Sequence, residues 1–174
     1  FMIIKRFLHK RKYELLLFAL ILHLFIGVFQ YDLLFYRNVI WPINMILLGI
    51  ASVGVFIRKG KWKNIVRNVL FVFVVIMPIG LAFFGHQPNY FFVLNIIYVI
   101  FFLLIFWEVM AFLIKPSYIN ADIISASACG YFLLIEISVF LLQLFVYQDT
   151  NSFKGVSYAS NAETFMDLVY FSSI

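Results

Sequence analysis

The sequence predicts an all-α integral membrane protein: five transmembrane helices, then a short C-terminal helix, interfacial or re-entrant, with the N-terminus cytoplasmic. Three observations carry that expectation. Of 174 residues, 65% are apolar, 21% aromatic and only 12% charged, whereas a soluble domain is about 45–50% apolar and about 25% charged. Too little polar material remains to cover the Phe, Leu, Ile and Val of a soluble core, so soluble enzymes and disordered tails are excluded. The apolar runs are also long and continuous instead of alternating, which selects helices over barrel strands. Finally, the basic residues cluster between those runs. A single cysteine, Cys129, excludes an internal disulfide and a Cys-cluster metal site.

A hydrocarbon core is crossed by about 20 apolar residues. The stretches that approach this length are Tyr13–Phe29, Val39–Ile57, Val66–Phe84, Tyr90–Ile114 and Ile123–Val146. Asp32, Arg37 and Asn38 separate the first two, and the basic run from Arg58 to Asn64 separates the second from the third. Residues 85–89 form a tight polar turn before the fourth span, and Lys115-Pro116 ends it, because proline donates no backbone bond. Within the third span, Pro78 frees the carbonyl of Val74 and is expected to kink the helix. The expected organisation is a basic segment 1–12, a four-span bundle 13–116, and a C-terminal unit 117–174.

Five of the 13 Lys and Arg lie in Lys5–Lys12 and five in Arg58–Arg67. With the N-terminus inside, eleven basic residues fall on the cytoplasmic flanks and two outside. The two clusters are expected to meet anionic lipid head groups of a bacterial inner membrane. Their placement beside apolar spans argues against nucleic acid as a partner. Trp41 and Trp62 fall at expected interfaces. No Lys or Arg occurs between Asn68 and Ile114, which excludes a voltage sensor of the arginine-ladder kind.

Three ionisable residues fall at bilayer depth: His23, Glu108 and Glu136. A charged side chain at a helix centre costs roughly 2.5–3.5 kcal/mol on insertion scales, so each needs a wet cavity or a partner. Asn44, Asn95 and Ser138 are candidate partners for Glu136, which is otherwise a pore-adjacent or proton-linked carboxylate. Glu108 is placed to reach interfacial water or Lys115, and His23 is expected only to pack. Ser125, Ala126, Cys129 and Gly130 form a small face that lets a neighbouring helix approach closely.

Beyond Val146 the chain turns polar and then enters a short amphipathic run, 161–174, too short to span a bilayer. Ser160 and Glu163 have capping-box spacing. The order is a span with Ala128-Cys-Gly-Tyr-Phe-Leu-Leu134, a linker with Asn151-Ser-Phe-Lys-Gly155, and Met166-Asp-Leu-Val-Tyr-Phe-Ser-Ser173. Over about Ala121–Ile174 this resembles the prokaryotic two-helix-pore ion channels of the potassium channel superfamily. The resemblance implies a pore helix bearing Thr164, Phe165, Asp167, Leu168, Tyr170, Phe171, Ser172 and Ser173. In that family a filter of Gly-Tyr-Gly type and an inner pore helix follow. Neither is present in these residues, so the sequence is expected to be part of a longer channel.

By that resemblance, Phe165, Leu168, Val169 and Phe171 pack against the fifth span, Tyr170 and Ser172–Ser173 brace the filter, and Asp167 lies near the mouth. The C-terminal end of the helix dipole favours a cation. Potassium is the expected permeant ion, no cofactor or metal is expected, and the assembly is a homotetramer. Two other functions fit the composition: a poreless accessory or scaffold protein, and a proton-coupled carrier using Glu136. No motif of an intramembrane enzyme occurs.

Overall fold

The computed structural model describes residues 11–29, 35–55, 61–84, 88–114, 120–148, 153–157 and 161–174. Among these residues the fold is all-α, with no strand. The helices are α1 (Lys12–Phe25), α2 (Trp41–Val53), α3 (Lys61–Phe84), α4 (Pro88–Leu113), α5 (Ala121–Gln148) and α6 (Asn161–Ser173). A 3₁₀ turn, Ile26–Phe29, extends α1, and a π-type segment, Tyr36–Ile40, leads into α2. Several expected features lie outside the described residues: the first cluster before Arg11, residues 58–60, most of the turn at 85–89, Lys115-Pro116 and the Ser160 cap.

Each expected span holds a helix, but among the described residues only two segments, Asn89–Leu113 and Ala121–Val146, are long and apolar enough on their own to cross a membrane. They account for 25 and 26 residues. Shorter apolar helices cover Asn38–Val53 and Asn68–Gly80. The difference comes from punctuation. α1 tightens to 3₁₀ geometry after Phe25, and α2 is thirteen residues long behind a π-type segment.

The first five helices close into a ring, each packed on the next, with α5 returning to α1. Neighbours run up and down. His23 near the end of α1 meets Trp41 at the start of α2, while Tyr13 at the start of α1 meets Phe112 at the end of α4. Cys129 donates to the Tyr13 carbonyl at 3.3 Å and Glu136 meets His23, so α5 runs parallel to α1. α5, assigned from sequence to the unit 117–174, shares one apolar core with α1–α4.

Local rules fix several of these elements. Asn120 caps α5 by accepting the Ile123 amide at 3.0 Å. On the small face of α5, Ala126, Cys129 and Gly130 are buried, and a Cβ on Gly130 would sit 4.0 Å from Val109. Ser125 is half-buried beside them. α3 runs through Pro78, and the Val74 carbonyl that proline leaves free accepts the Tyr98 hydroxyl at 3.3 Å. The Tyr90 hydroxyl donates to the Met77 carbonyl. A neighbouring helix thus satisfies what the proline leaves unpaired, as membrane helices commonly require.

The outer surface of the ring is apolar. Phe18, Ile43, Ile76, Trp107 and Ile124 are each more than half exposed. α4 is hydrophobic all round yet only 33% of its most apolar window is buried. A soluble core helix of this composition would be enclosed on every side. Lys12 lies over the rings of Tyr13 and Phe112. Burial pulls its ammonium below the usual value, and Asp122 partly offsets that.

Candidate functional site

The site lies where α1, α5 and α6 meet. His23 and Glu136 are both fully buried, and their Nδ1 and Oε1 atoms lie 2.6 Å apart. Such a distance is short for a nitrogen–oxygen hydrogen bond and fits a charge-assisted one. The packing that produces it starts with the small residues of α5. Cys129 and Glu136 are two turns apart on one face, so close approach at Cys129 carries Glu136 into α1. The parallel course of the two helices then brings His23 to the same level.

Two sequence expectations are corrected here. His23 was expected to pack without a polar partner, and its partner is Glu136. Glu136 was expected to reach Asn44, Asn95 or Ser138, and its bonded oxygen instead meets His23. Asn44 and Asn95 are buried, but their amide nitrogens have no hydrogen-bond partner. Glu108 does not join this group. It is half-buried toward the end of α4, one turn past Leu104. Trp41, expected at an interface, turns inward, with its ring 6.3 Å from His23 and edge-on to Tyr98 at 6.0 Å.

Aromatic rings enclose the pair. Phe165 of α6 meets the His23 ring edge-on at 5.4 Å, and Phe140 stacks at 6.5 Å. Tyr36 of the π segment is buried, and the Glu136 carboxylate lies within electrostatic reach of its phenol. Gly27, one turn beyond His23, gives this tyrosine room: a Cβ there would lie 3.1 Å from the Tyr36 ring and 3.2 Å from the Met166 sulfur. Beyond the short bond, His23 Nε2, Glu136 Oε2 and the Tyr36 hydroxyl have no hydrogen-bond partner.

The short helix α6 packs on α5 and against the two turns at Ile26–Phe29 and Tyr36–Ile40. Its N-terminal half is tied to the linker through Ser157. Asp167 accepts the Ser157 amide at 2.7 Å, Glu163 accepts the Ser157 hydroxyl at 2.8 Å, and Thr164 donates to the Ser157 carbonyl at 2.8 Å. One linker residue therefore binds three side chains on successive turns of one helix face. Gly155, at φ +88°, supplies the turn just before it.

The helix inserts one side only. Thr164, Phe165, Leu168 and Val169 are buried. Phe171 is corrected: instead of packing on α5 it is 55% exposed, with its ring 6.1 Å from Phe153. Tyr170 is exposed, Ser173 donates back to the Tyr170 carbonyl at 2.8 Å, and the Ser172 hydroxyl is buried without a partner. Asp167, expected at a mouth, is occupied by the linker.

Sequence reasoning missed Tyr36, Ser157 and Trp41 as members of this region. Nothing in the spacing links Ser157 to three helix residues, and Tyr36 reads as one aromatic among many. Among the described residues no cluster of three His, Cys, Asp or Glu is placed to hold a metal. Compared with protein-family models, with the curated proteins and with the solved structures, the chain matches none.

Proposed function

We propose that this chain is a subunit of a cation channel, potassium-conducting and without an arginine-ladder sensor, in which four copies share one pore. The observation that carries the reading is α6: thirteen residues, anchored at its start by Ser157 and packed on the long helix α5, with Tyr170, Phe171 and Ile174 left exposed at its C-terminal end. A helix of about 20 Å cannot cross a core of about 30 Å, yet this one has an apolar inner face seated among buried helices. This placement supports a re-entrant element framing a pore. The exposed end is where the other copies and the filter would pack, and its dipole points partial negative charge toward a cation.

The helix lengths support five crossings. α1 with its 3₁₀ turn reaches about 29 Å, and the helix from Phe35 to Val53 about 27 Å, close to the hydrocarbon thickness. The up-and-down ring puts the start of α1 and the end of α5 at opposite ends, as a cytoplasmic N-terminus and an outward-facing linker require. Anionic lipid head groups of a bacterial inner membrane then meet Lys5–Lys12 and Arg58–Arg67. The filter of backbone carbonyls and the inner helix belong, on this reading, to residues beyond Ile174.

The test is potassium flux from the full-length product in liposomes, with its oligomeric state measured in parallel. Flux from a tetramer is expected. A verified full-length tetramer without flux rejects the channel. One observation favours a second reading, a proton-coupled carrier: Glu136 shares a buried bond with His23 instead of a structural amide. Proton uptake accompanying solute movement, with no channel current, would select it.

A further inference from the structure

We propose that His23 and Glu136 form a buried proton-binding site that positions α6. The argument is one of charge. With one proton between them the two side chains are neutral overall, whichever atom carries it. With two protons the pair is a cation and with none it is an anion. Either net charge would sit among Phe140, Phe165 and Trp41 with no water contact. The outward atoms, His23 Nε2 and Glu136 Oε2, have no partners through which to disperse it. A change in proton count can be accommodated only by movement that admits water or opens the contact.

α6 is the element placed to move. Phe165 lies edge-on to the imidazole, and Met166, the next residue, approaches Gly27 and Tyr36 one turn along α1. A displaced His23 ring therefore displaces the buried face of α6. Few other groups compete for control of the site. Tyr36 faces it from the π segment, and Tyr98 of α4 donates to Val74. On α6, Glu163 and Asp167 are held by Ser157. Among the described side chains α2 presents only Trp41 and Asn44, and on α1 and α5 the next acids, Glu14 and Asp122, lie turns away.

As a regulator of permeation this site rests on the channel reading, but its occupancy can be measured without ion flow. In the full-length protein in liposomes, with Cys129→Ala, spin labels are placed at Ile174→Cys, just past α6, and Ile100→Cys on α4, both exposed. Stepping the pH from about 4 to about 10, so that the pair gains or loses a proton, should shift the label distance by about 2 Å, the size of a helix adjustment. Glu136→Gln combined with His23→Gln keeps both side chains polar but leaves no titratable group, and should remove the shift. If it fails to fold, His23→Leu with Glu136→Leu serves the same purpose. The infrared carboxyl band of the unlabelled protein gives a second readout and should change with pH. A distance that ignores pH, a shift surviving both variants, or an unchanging carboxyl band overturns the site. A pH-dependent shift in a tetramer without potassium flux leaves the site standing and rejects the channel.

Discussion

α4 and α5 are the two longest helices, nearly equal in length and both apolar enough to cross a membrane, yet they relate to the rest of the protein differently. α4 buries 33% of its most apolar window, α5 56%. Each carries one glutamate. Glu108 stands half-buried toward an end of α4. Glu136 sits in the middle of α5 with no exposure and is answered by His23 from the other end of the chain. Depth and enclosure, more than residue type, decide what a carboxylate in an apolar helix must do. A shallow one can be solvated. A deep one needs a partner supplied by the fold.

The largest expected effect comes from breaking that partnership on one side only. Glu136→Leu leaves the imidazole buried with nothing to bond, at a cost of about 3–5 kcal/mol. Replacing both residues, His23→Leu with Glu136→Leu, removes the desolvation cost together with the bond and should return stability close to the starting value. Glu108→Gln should cost less than Glu136→Leu. Reversible unfolding in mixed micelles checks all three, and equal losses for Glu108 and Glu136 would erase the distinction between the helices.

How much of this was legible in the sequence follows from the range of the interactions. Helix positions, the absence of strands and the small face at Ser125–Gly130 rest on local pattern, and they could be read residue by residue. Glu136 was marked because a carboxylate in an apolar run is costly wherever it lies. Its partner could not be marked, because His23 is 113 positions away and is brought there by packing of Cys129 against Tyr13. Phe171 illustrates the opposite error. Its apolar side chain suggested burial, but the face of α6 was set by Ser157, whose three bonds fix the helix rotation and turn Phe171 outward.

The α3–α4 contact offers a second comparison with the polar site, because here backbone atoms are the ones in need of partners. Gly80 leaves space for the Tyr90 side chain, and a Cβ would meet its hydroxyl. Gly80→Ala should therefore destabilise by about 1–3 kcal/mol through overpacking, despite alanine's better helix propensity. Adding Tyr90→Phe, which removes the obstructing oxygen, should recover part of the loss. A simple gain from Gly80→Ala in thermal unfolding would show that the tyrosine is free to leave the Met77 carbonyl.

A somewhat smaller effect is expected from Tyr98→Phe. It strands the Val74 carbonyl, which Pro78 cannot serve, and should cost about 1–2 kcal/mol. In a Pro78→Ala background the restored amide at position 78 bonds that carbonyl, so the same change should cost less. The double-mutant cycle should give a coupling of about 1 kcal/mol. A coupling of zero would mean that Tyr98 contributes by packing alone.

The smallest effect on the isolated subunit separates the two faces of α6. Phe165 is buried against His23 and Phe140, whereas Phe171 is 55% exposed. Phe165→Ala removes a core ring and should cost about 3–5 kcal/mol, but Phe171→Ala should change subunit stability by no more than about 0.5 kcal/mol. If the outward face of α6 packs against other copies around a pore, the same Phe171→Ala change should weaken assembly, and sedimentation in detergent should show tetramer giving way to smaller species. Phe171→Ala that leaves both subunit stability and the tetramer untouched would mean that lipid covers this face, and α6 would then be an interfacial helix instead of part of a pore.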